Sequence, residues 1–154
     1  MSDFNLYILL HDIRSAFNVG SIFRTADCVG AKKIFLTGYT PTPENFRLEK
    51  TALGALQFVE WEYFEDPMDV IKKLKDDGVP LYAAEQTVDS IGYTSITYPS
   101  TLCLAVGNEI SGVEDNILDM ADKIVEIPVY GKKNSLNVAT AFGILAYQMR
   151  NYAN

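Results

Sequence analysis

The chain has 154 residues, of which 48% are apolar, and this length and composition fit one domain with a sizeable core rather than a disordered protein. Its apolar runs are too short to cross a bilayer, and its first residues lack the basic start of a secretory signal. The formal net charge of −7 argues against a strong non-specific nucleic-acid binder, because such proteins carry a basic surface.

The charge is unevenly distributed. Acidic residues crowd the middle of the chain between Glu60 and Asp77, whereas several basic residues lie in or beside predicted loops. These basic residues are Arg14, Arg24, Arg47, Lys50, Lys132 and Lys133. If the loops converge, we expect a local basic patch on an acidic protein.

The two cysteines, Cys28 and Cys103, each lie in an apolar stretch. This setting favours two small buried residues in a reducing compartment over a disulfide. We therefore expect a soluble cytoplasmic protein.

Short apolar runs alternate with helical patterns in the first half of the chain. Strands are predicted at 6–10, 33–36 and 59–63, and helices at 20–29 and 48–56. Asn18 is a candidate cap of the first helix. Pro41, Pro43 and Gly38 make the segment 37–47 a loop.

In the second half, Asp66 and Pro67 are predicted to begin a helix that ends at Gly78, because Asp is a favoured N-cap and Pro fits the first helical position. Further strands are predicted at 81–84, 102–106 and 124–127, with a short helix at 114–120. Ser135 is a candidate cap of the final helix. The apolar face of that helix comprises Val138, Phe142, Leu145 and Met149.

Strands that alternate with helices and lack strict polar alternation predict an α/β fold, with a mostly parallel sheet covered by helices on both faces. The sequence contains no linker, internal repeat or low-complexity segment. We therefore expect a single domain over residues 1–154.

Ligands of open α/β sheets bind at the carboxyl ends of the strands, so the loops at those ends are the candidate sites. Three polar segments follow predicted strands: HDIRSAFNVGSIFRTADCVGA at 11–31, GNEISGVE at 107–114 and PVYGKKNSLNVATAFG at 128–143. No G-x-G-x-x-G follows a strand, and Val113 stands where a P-loop requires lysine. The single histidine, His11, and two distant cysteines do not build a zinc site of ordinary type. The sequence also lacks the G-x-S-x-G elbow of the α/β hydrolases.

Each polar residue in these segments also has a purely structural interpretation. Asn18, Ser135 and Asn137 could be helix caps, Glu109 a solvent-facing turn residue, and Arg24 a solvated or salt-bridged residue. Their joint occurrence after three separate strands favours a functional site.

The segments N-V-G-S-I-F-R-T-A, G-N-E-I-S-G and N-S-L-N-V-A-T-A resemble, in this order, the three motifs of the SpoU/TrmH branch of the SPOUT methyltransferases. The resemblance covers nearly the whole chain, and S-L-N-V-A looks closer to the TrmH type. It implies a C-terminal trefoil knot, a homodimer and bound S-adenosylmethionine without a metal. The implied reaction is methyl transfer to a ribose 2′-hydroxyl of tRNA or rRNA, by a catalytic domain without an accessory RNA-binding domain.

The resemblance also implies a set of catalytic residues. These are Asn18 and Arg24 of the first motif, Glu109 of the second, and Ser135 and Asn137 of the third. In the family, the first-motif and final helices pack across a two-fold axis, and the arginine serves the neighbouring subunit's cofactor.

Backbone groups near Ala84, Gly107, Ile127 and Leu136 are the implied cofactor contacts. Because a guanidinium is very hard to deprotonate, we interpret Arg24 as a group that holds a phosphate and stabilises developing negative charge rather than as a base. The 2′-hydroxyl proton would then pass to phosphate, water or Glu109. Two alternatives are a catalytically weak RNA-binding or scaffold protein that kept the fold, and a small-molecule α/β enzyme with another cofactor.

Overall fold

The computed structural model describes residues 3–153, in which seven strands form one sheet. The strands are β1 (Asn5–His11), β2 (Lys33–Thr37), β3 (Glu60–Phe64), β4 (Leu81–Ala84), β5 (Ile91–Gly92), β6 (Thr101–Val106) and β7 (Lys123–Glu126). Their order in the sheet is β3-β2-β1-β6-β4-β7-β5, and the strand pairings of the described chain are parallel. The carboxyl ends of β1, β4, β6 and β7 therefore meet along one edge of the sheet.

Five α-helices connect or follow these strands in the described part of the chain. They are α1 (Ala16–Val29), α2 (Glu49–Ala52), α3 (Pro67–Asp76), α4 (Asp115–Met120) and α5 (Val138–Asn151). No described helix combines the length and hydropathy that a membrane span requires.

The sheet separates two apolar cores, because successive side chains of a strand point to opposite faces. In β1, Ile8 and Leu10 share a core with α1, α2 and α5, whereas Leu9 packs on the other face with α3 and α4. The predicted α/β fold with helices on both faces is confirmed, and the trefoil knot stays a prediction.

Two predicted helix caps are wrong. Helix α1 begins at Ala16 rather than near Gly20, and its N-cap is Ser15, whose Oγ accepts the backbone N–H of Asn18 at 3.2 Å. Helix α5 is not capped by Ser135. The cap interpretation of Asn137 is confirmed, since its Oδ1 accepts from the N–H groups of Ala139 and Thr140. Each helix is preceded by several residues that favour a cap, and the local pattern does not choose among them.

The predicted cap and first residue of α3, Asp66 and Pro67, are confirmed. The helix predicted over 48–56 is wrong as a single element. Leu53 and Gly54 adopt positive φ values of 49° and 92°, which end α2 after Ala52. Short 3₁₀ turns lie on either side, at Phe46–Leu48 and Ala55–Gln57.

The prediction for the cysteines is half right. Cys103 is buried in β6, but Cys28 is exposed on α1, and both thiols are free. The apolar neighbours of Cys28 in sequence, Ala26 and Val29, are on the buried face of the helix, whereas Cys28 is on its exposed face. The sequence does not predict the two-residue strand β5, because it is too short to show a pattern.

Candidate active site

A pocket of about 370 Å³ lies at the carboxyl ends of β4, β6 and β7, within the size range of small-molecule sites. Its wall includes the four predicted cofactor positions, which are Ala84, Gly107, Ile127 and Leu136. Apolar side chains of Val106, Val125 and Leu145 also line it, and they belong to the buried core. Glu109 and Ser135 contribute polar groups to the same wall.

One side of the pocket is the tight loop that follows β6. The backbone groups of Asn108 and Gly112 are hydrogen-bonded in both directions, at 3.1 and 3.0 Å. Asn108 Oδ1 also accepts from the N–H groups of Ile110 and Ser111, which closes the loop on itself. These contacts fix the backbone that faces the pocket.

Gly112 is required in this loop for two reasons. Its φ of 76° lies in the left-handed region, and a Cβ there would collide with the carboxylate of Glu85. That carboxylate accepts the N–H of Val113 at 3.0 Å. The glycine therefore lets Glu85 hold the end of the loop.

Glu109 joins this loop to the start of α1. Its Oε1 accepts the N–H of Arg14, and its Oε2 accepts the N–H of Ser15, both at 2.8 Å. Oε2 also accepts from Asn18 Nδ2 at 3.1 Å. A carboxylate in this position satisfies backbone donors at a helix N-terminus and complements the helix dipole.

The pKa of Glu109 is lowered by this environment. Partial burial alone would raise it, but the hydrogen bonds from the Arg14 and Ser15 backbone, from its own N–H and from Asn18 outweigh burial. The carboxylate is thus ionised at neutral pH, and both of its oxygens are engaged. This arrangement suits a positioning group better than a proton acceptor.

A second link joins the first and third motifs. Asn137 Nδ2 donates to Asn18 Oδ1 at 3.1 Å, while Asn137 Oδ1 caps α5. Asn137, Asn18 and Glu109 therefore form a continuous chain of hydrogen bonds. The structure brings together side chains from all three segments that the sequence singled out.

Arg24 lies apart from this arrangement. It is exposed on α1 and is absent from the pocket wall, and it makes no ion pair with another described residue. Its helix packs against α5, where Gly143 faces Thr25. A single chain consequently does not place Arg24 at its own pocket.

Sequence reasoning missed the contribution of two side chains. Asn108 lies in the second motif without a role assigned to it, and its Nδ2 donates to the backbone oxygen of Asp12 and to the Tyr39 hydroxyl. Glu85 follows β4 directly, and its position at a strand end was the available signal. Both fix the loop that carries Glu109.

Comparison with known proteins gives a consistent result. The model of the SpoU rRNA methylase family matches residues 5–147. A tRNA (guanosine(18)-2′-O)-methyltransferase of Aquifex aeolicus is 30% identical over 145 residues, which cover 94% of this chain and 68% of that protein. A 23S rRNA (guanosine(2553)-2′-O)-methyltransferase of Bacillus subtilis is 30% identical over 149 residues, which cover 93% of this chain and 57% of that protein.

Among solved structures, an S-adenosylmethionine-bound rRNA methyltransferase from Sinorhizobium meliloti superposes with a TM-score of 0.90 at 30% identity. The match covers 97% of this chain and 57% of that one. The chain thus spans little more than half of the Bacillus subtilis and Sinorhizobium meliloti proteins.

Proposed function

Because the chain belongs to the SpoU rRNA methylase family, we propose that it transfers a methyl group from S-adenosylmethionine to a ribose 2′-hydroxyl of tRNA or rRNA. The observation that carries the proposal is the hydrogen-bond chain from Asn137 through Asn18 to Glu109, which lines a pocket of suitable size. It unites the three motifs in one site.

The pocket suits S-adenosylmethionine in size and in chemistry. Ala84, Gly107, Ile127 and Leu136 would hold it through backbone groups, and the buried valines would enclose its apolar parts. When bound, the cofactor supplies an electrophilic methyl group. The residues of this chain position the groups around it, which is a large part of what such a transfer needs.

We assign the residues of the site distinct roles. Glu109 holds the first turn of α1, and Asn18 and Asn137 orient one another beside the pocket. Since hydrogen bonds to the ionised form lower the pKa of Glu109, it is a weak base, and we assign the 2′-hydroxyl proton to phosphate or water. Ser135, exposed at the pocket wall, contacts the ribose or the cofactor.

We further propose that two copies of the chain form a homodimer in which Arg24 of one copy serves the pocket of the other. The support is that Arg24 is exposed and lies outside its own pocket wall. Large apolar side chains are also exposed on α1 and α5, namely Phe17, Ile144 and Tyr147. Arg24 would hold a phosphate and stabilise developing negative charge on the ribose oxygen.

Calorimetry with S-adenosylmethionine, followed by transfer of labelled methyl to bulk RNA, tests the activity. We expect binding and transfer by the native chain, and loss of binding in Gly112→Ala. Gly131→Ala is the matched control, because a Cβ at Gly131 meets open space. Binding without transfer would favour the scaffold alternative, and absence of binding would contradict the cofactor assignment.

The role of Arg24 predicts that Arg24→Lys keeps cofactor affinity but loses most turnover, because lysine cannot reproduce the bidentate guanidinium contact. Mixing equal amounts of Arg24→Lys and Gly112→Ala chains should restore roughly a quarter of native activity. About half of the dimers would then be mixed, and each mixed dimer carries one complete site, formed by the native pocket of one chain and the native Arg24 of the other. Near-normal turnover of Arg24→Lys, or no recovery in the mixture despite subunit exchange, would contradict the shared site.

A further inference from the structure

Three potential metal ligands converge at the carboxyl end of β1, outside the pocket wall. They are His11, Asp12 and Glu114, whose ligand atoms all lie within 4.8 Å of one another. His11 Nε2 is 3.0 Å from Glu114 Oε1 and 3.4 Å from Asp12 Oδ2. The sequence did not reveal this cluster, because Glu114 lies far from His11 along the chain.

The imidazole of His11 is buried, with 7% of its surface exposed, and its Nε2 has no hydrogen-bond partner of suitable geometry among the described residues. A buried polar atom without a partner is costly, so its position calls for an explanation. Nε2 nevertheless lies within 3.4 Å of one oxygen of each carboxylate. An atom placed between the three groups would contact all of them.

The surrounding contacts orient each ligand. Thr40 Oγ1 donates to the Thr37 carbonyl at 2.7 Å, and Thr37 Oγ1 donates to the Leu10 carbonyl at 3.2 Å. Because the Thr37 hydroxyl hydrogen is directed at the Leu10 carbonyl, we assign the 2.9 Å contact to His11 Nδ1 as a hydrogen bond donated by Nδ1–H, the tautomer that leaves a lone pair on Nε2. Metal-bound histidines typically donate their second ring N–H in this way.

Neighbouring groups also fix the orientation of the Asp12 carboxylate, and the Glu114 carboxylate is left without a capping contact. Tyr39 N–H donates to Asp12 Oδ1 at 3.0 Å, which leaves Oδ2 for the cluster. Gly38 packs so closely on Asp12 and His11 that a Cβ there would collide with the Asp12 carboxylate. Glu114 is the N-cap residue of α4, but its side chain makes no capping hydrogen bond.

We propose that His11 Nε2, Asp12 Oδ2 and Glu114 Oε1 bind one divalent transition-metal ion of the zinc type. Ligand atoms about 2.0–2.2 Å from such an ion are separated by roughly 3.0–3.5 Å, in agreement with the two distances from His11 Nε2, and the two carboxylate oxygens lie within 4.8 Å of each other. An imidazole with two carboxylates favours zinc over magnesium, which prefers oxygen ligands. Water completes the coordination on the exposed side of Glu114.

The ion would stabilise the fold around the site rather than take part in methyl transfer. It would tie the end of β1 to the start of α4. Asn108 Nδ2 donates to the backbone oxygen of Asp12, so the same clamp supports the loop that carries Glu109. Binding to the folded state alone raises stability by mass action.

Because the chain contains one histidine, imidazole NMR of tag-free, chelator-treated protein reports on this site directly. We expect equimolar ZnCl₂ to shift the His11 Nε2 resonance while Nδ1 keeps its proton. An unchanged His11 spectrum, or a response to MgCl₂ and none to ZnCl₂, would overturn the proposal.

Calorimetry with ZnCl₂ on two variants provides the second measurement. Glu114→Gln keeps the shape of an exposed side chain and should weaken zinc binding by about tenfold or more. Asp119→Asn, an exposed acid on the same helix, should bind zinc as the native chain does. Equal affinity of Glu114→Gln and the native chain would rule out Glu114 as a ligand.

Discussion

At the scale of single residues, Glu109 connects two loops that come from distant parts of the chain. Its two oxygens accept three hydrogen bonds from the start of α1. Hydrogen bonds to a charged group are stronger than those between neutral groups. The ionised carboxylate is therefore a structural requirement of the site as well as a member of its motif.

Glu109→Gln should lower the free energy of unfolding at pH 7 by about 2 kcal/mol, because one amide oxygen replaces two ionised acceptors and an NH₂ group then faces a backbone donor. The pKa of Glu109 is lowered in the folded state, so its stabilising contribution is present above the ordinary glutamate pKa. That contribution is lost as the pH falls through the folded-state pKa. Denaturant unfolding at several pH values measures the difference.

Glu44→Gln is the control for this series, since Glu44 is exposed on the loop between β2 and α2 and is absent from the pocket wall. Its stability should follow the native chain at every pH. A gap between Glu109→Gln and the native chain that stays constant under acidification would refute the role given to the ionised carboxylate.

The sequence identified Asn18, Glu109 and Asn137 as site residues but could not show how they contact one another. The contacts join positions that are 91 and 119 residues apart, and no local pattern encodes such pairings. The same limit explains the two wrong caps. Ser15 and Asn137 were selected over their polar neighbours by tertiary contacts with Glu109 and Asn18.

At the scale of elements, Asn137 both caps α5 and contacts a second residue of the site. Its Oδ1 caps the helix, and its Nδ2 reaches Asn18. Asn137→Ala should cost about 1 kcal/mol of stability, the usual effect of losing a cap, and should also reduce methyl transfer.

Asn137→Asp separates the two effects. Aspartate caps a helix as well as asparagine does, but it cannot donate to Asn18 Oδ1. We expect near-native stability with reduced turnover, measured by thermal unfolding and by methyl transfer. Native turnover in Asn137→Asp would mean that the link to Asn18 has no catalytic importance.

Most elements of the fold could be predicted because burial leaves an apolar pattern in the sequence, a one-sided stripe in the helices and an unbroken run in the central strands. The strands β1, β2, β4 and β6 appear as continuous apolar runs, which suits strands covered on both faces. Strand β5 has only two residues, and Leu53 and Gly54 break the helix predicted over 48–56, so neither segment shows the period of a strand or a helix.

At the scale of the whole molecule, the net charge of −7 means that binding of RNA, a polyanion, depends on a small number of basic side chains. Among the described residues, ion pairs engage Lys33, Lys73 and Lys75. Lys132 and Lys133 are exposed in the segment between β7 and α5, beside the pocket-lining Asn134 and Ser135. They are well placed to contact phosphates next to the site.

Replacing both Lys132 and Lys133 with alanine should weaken RNA binding and reduce the slope of log affinity against log salt by about 1.4, since each phosphate contact to single-stranded RNA contributes about 0.7. Filter binding at several salt concentrations measures the slope. Lys72→Ala, on the exposed side of α3, should leave it unchanged. An unchanged slope in the double variant would place RNA elsewhere on the surface.

The contact between Asn18 and Asn137 also bears on the order of events during synthesis. Asn18 lies in the first helix and Asn137 caps the last one, and we expect a contact over this sequence separation to form late, after the intervening chain has been closed into a loop. A nascent chain that has emerged only as far as β7 has the strands of the pocket but lacks the cap that completes the site. Competence for methyl transfer is therefore acquired only when the last helix docks.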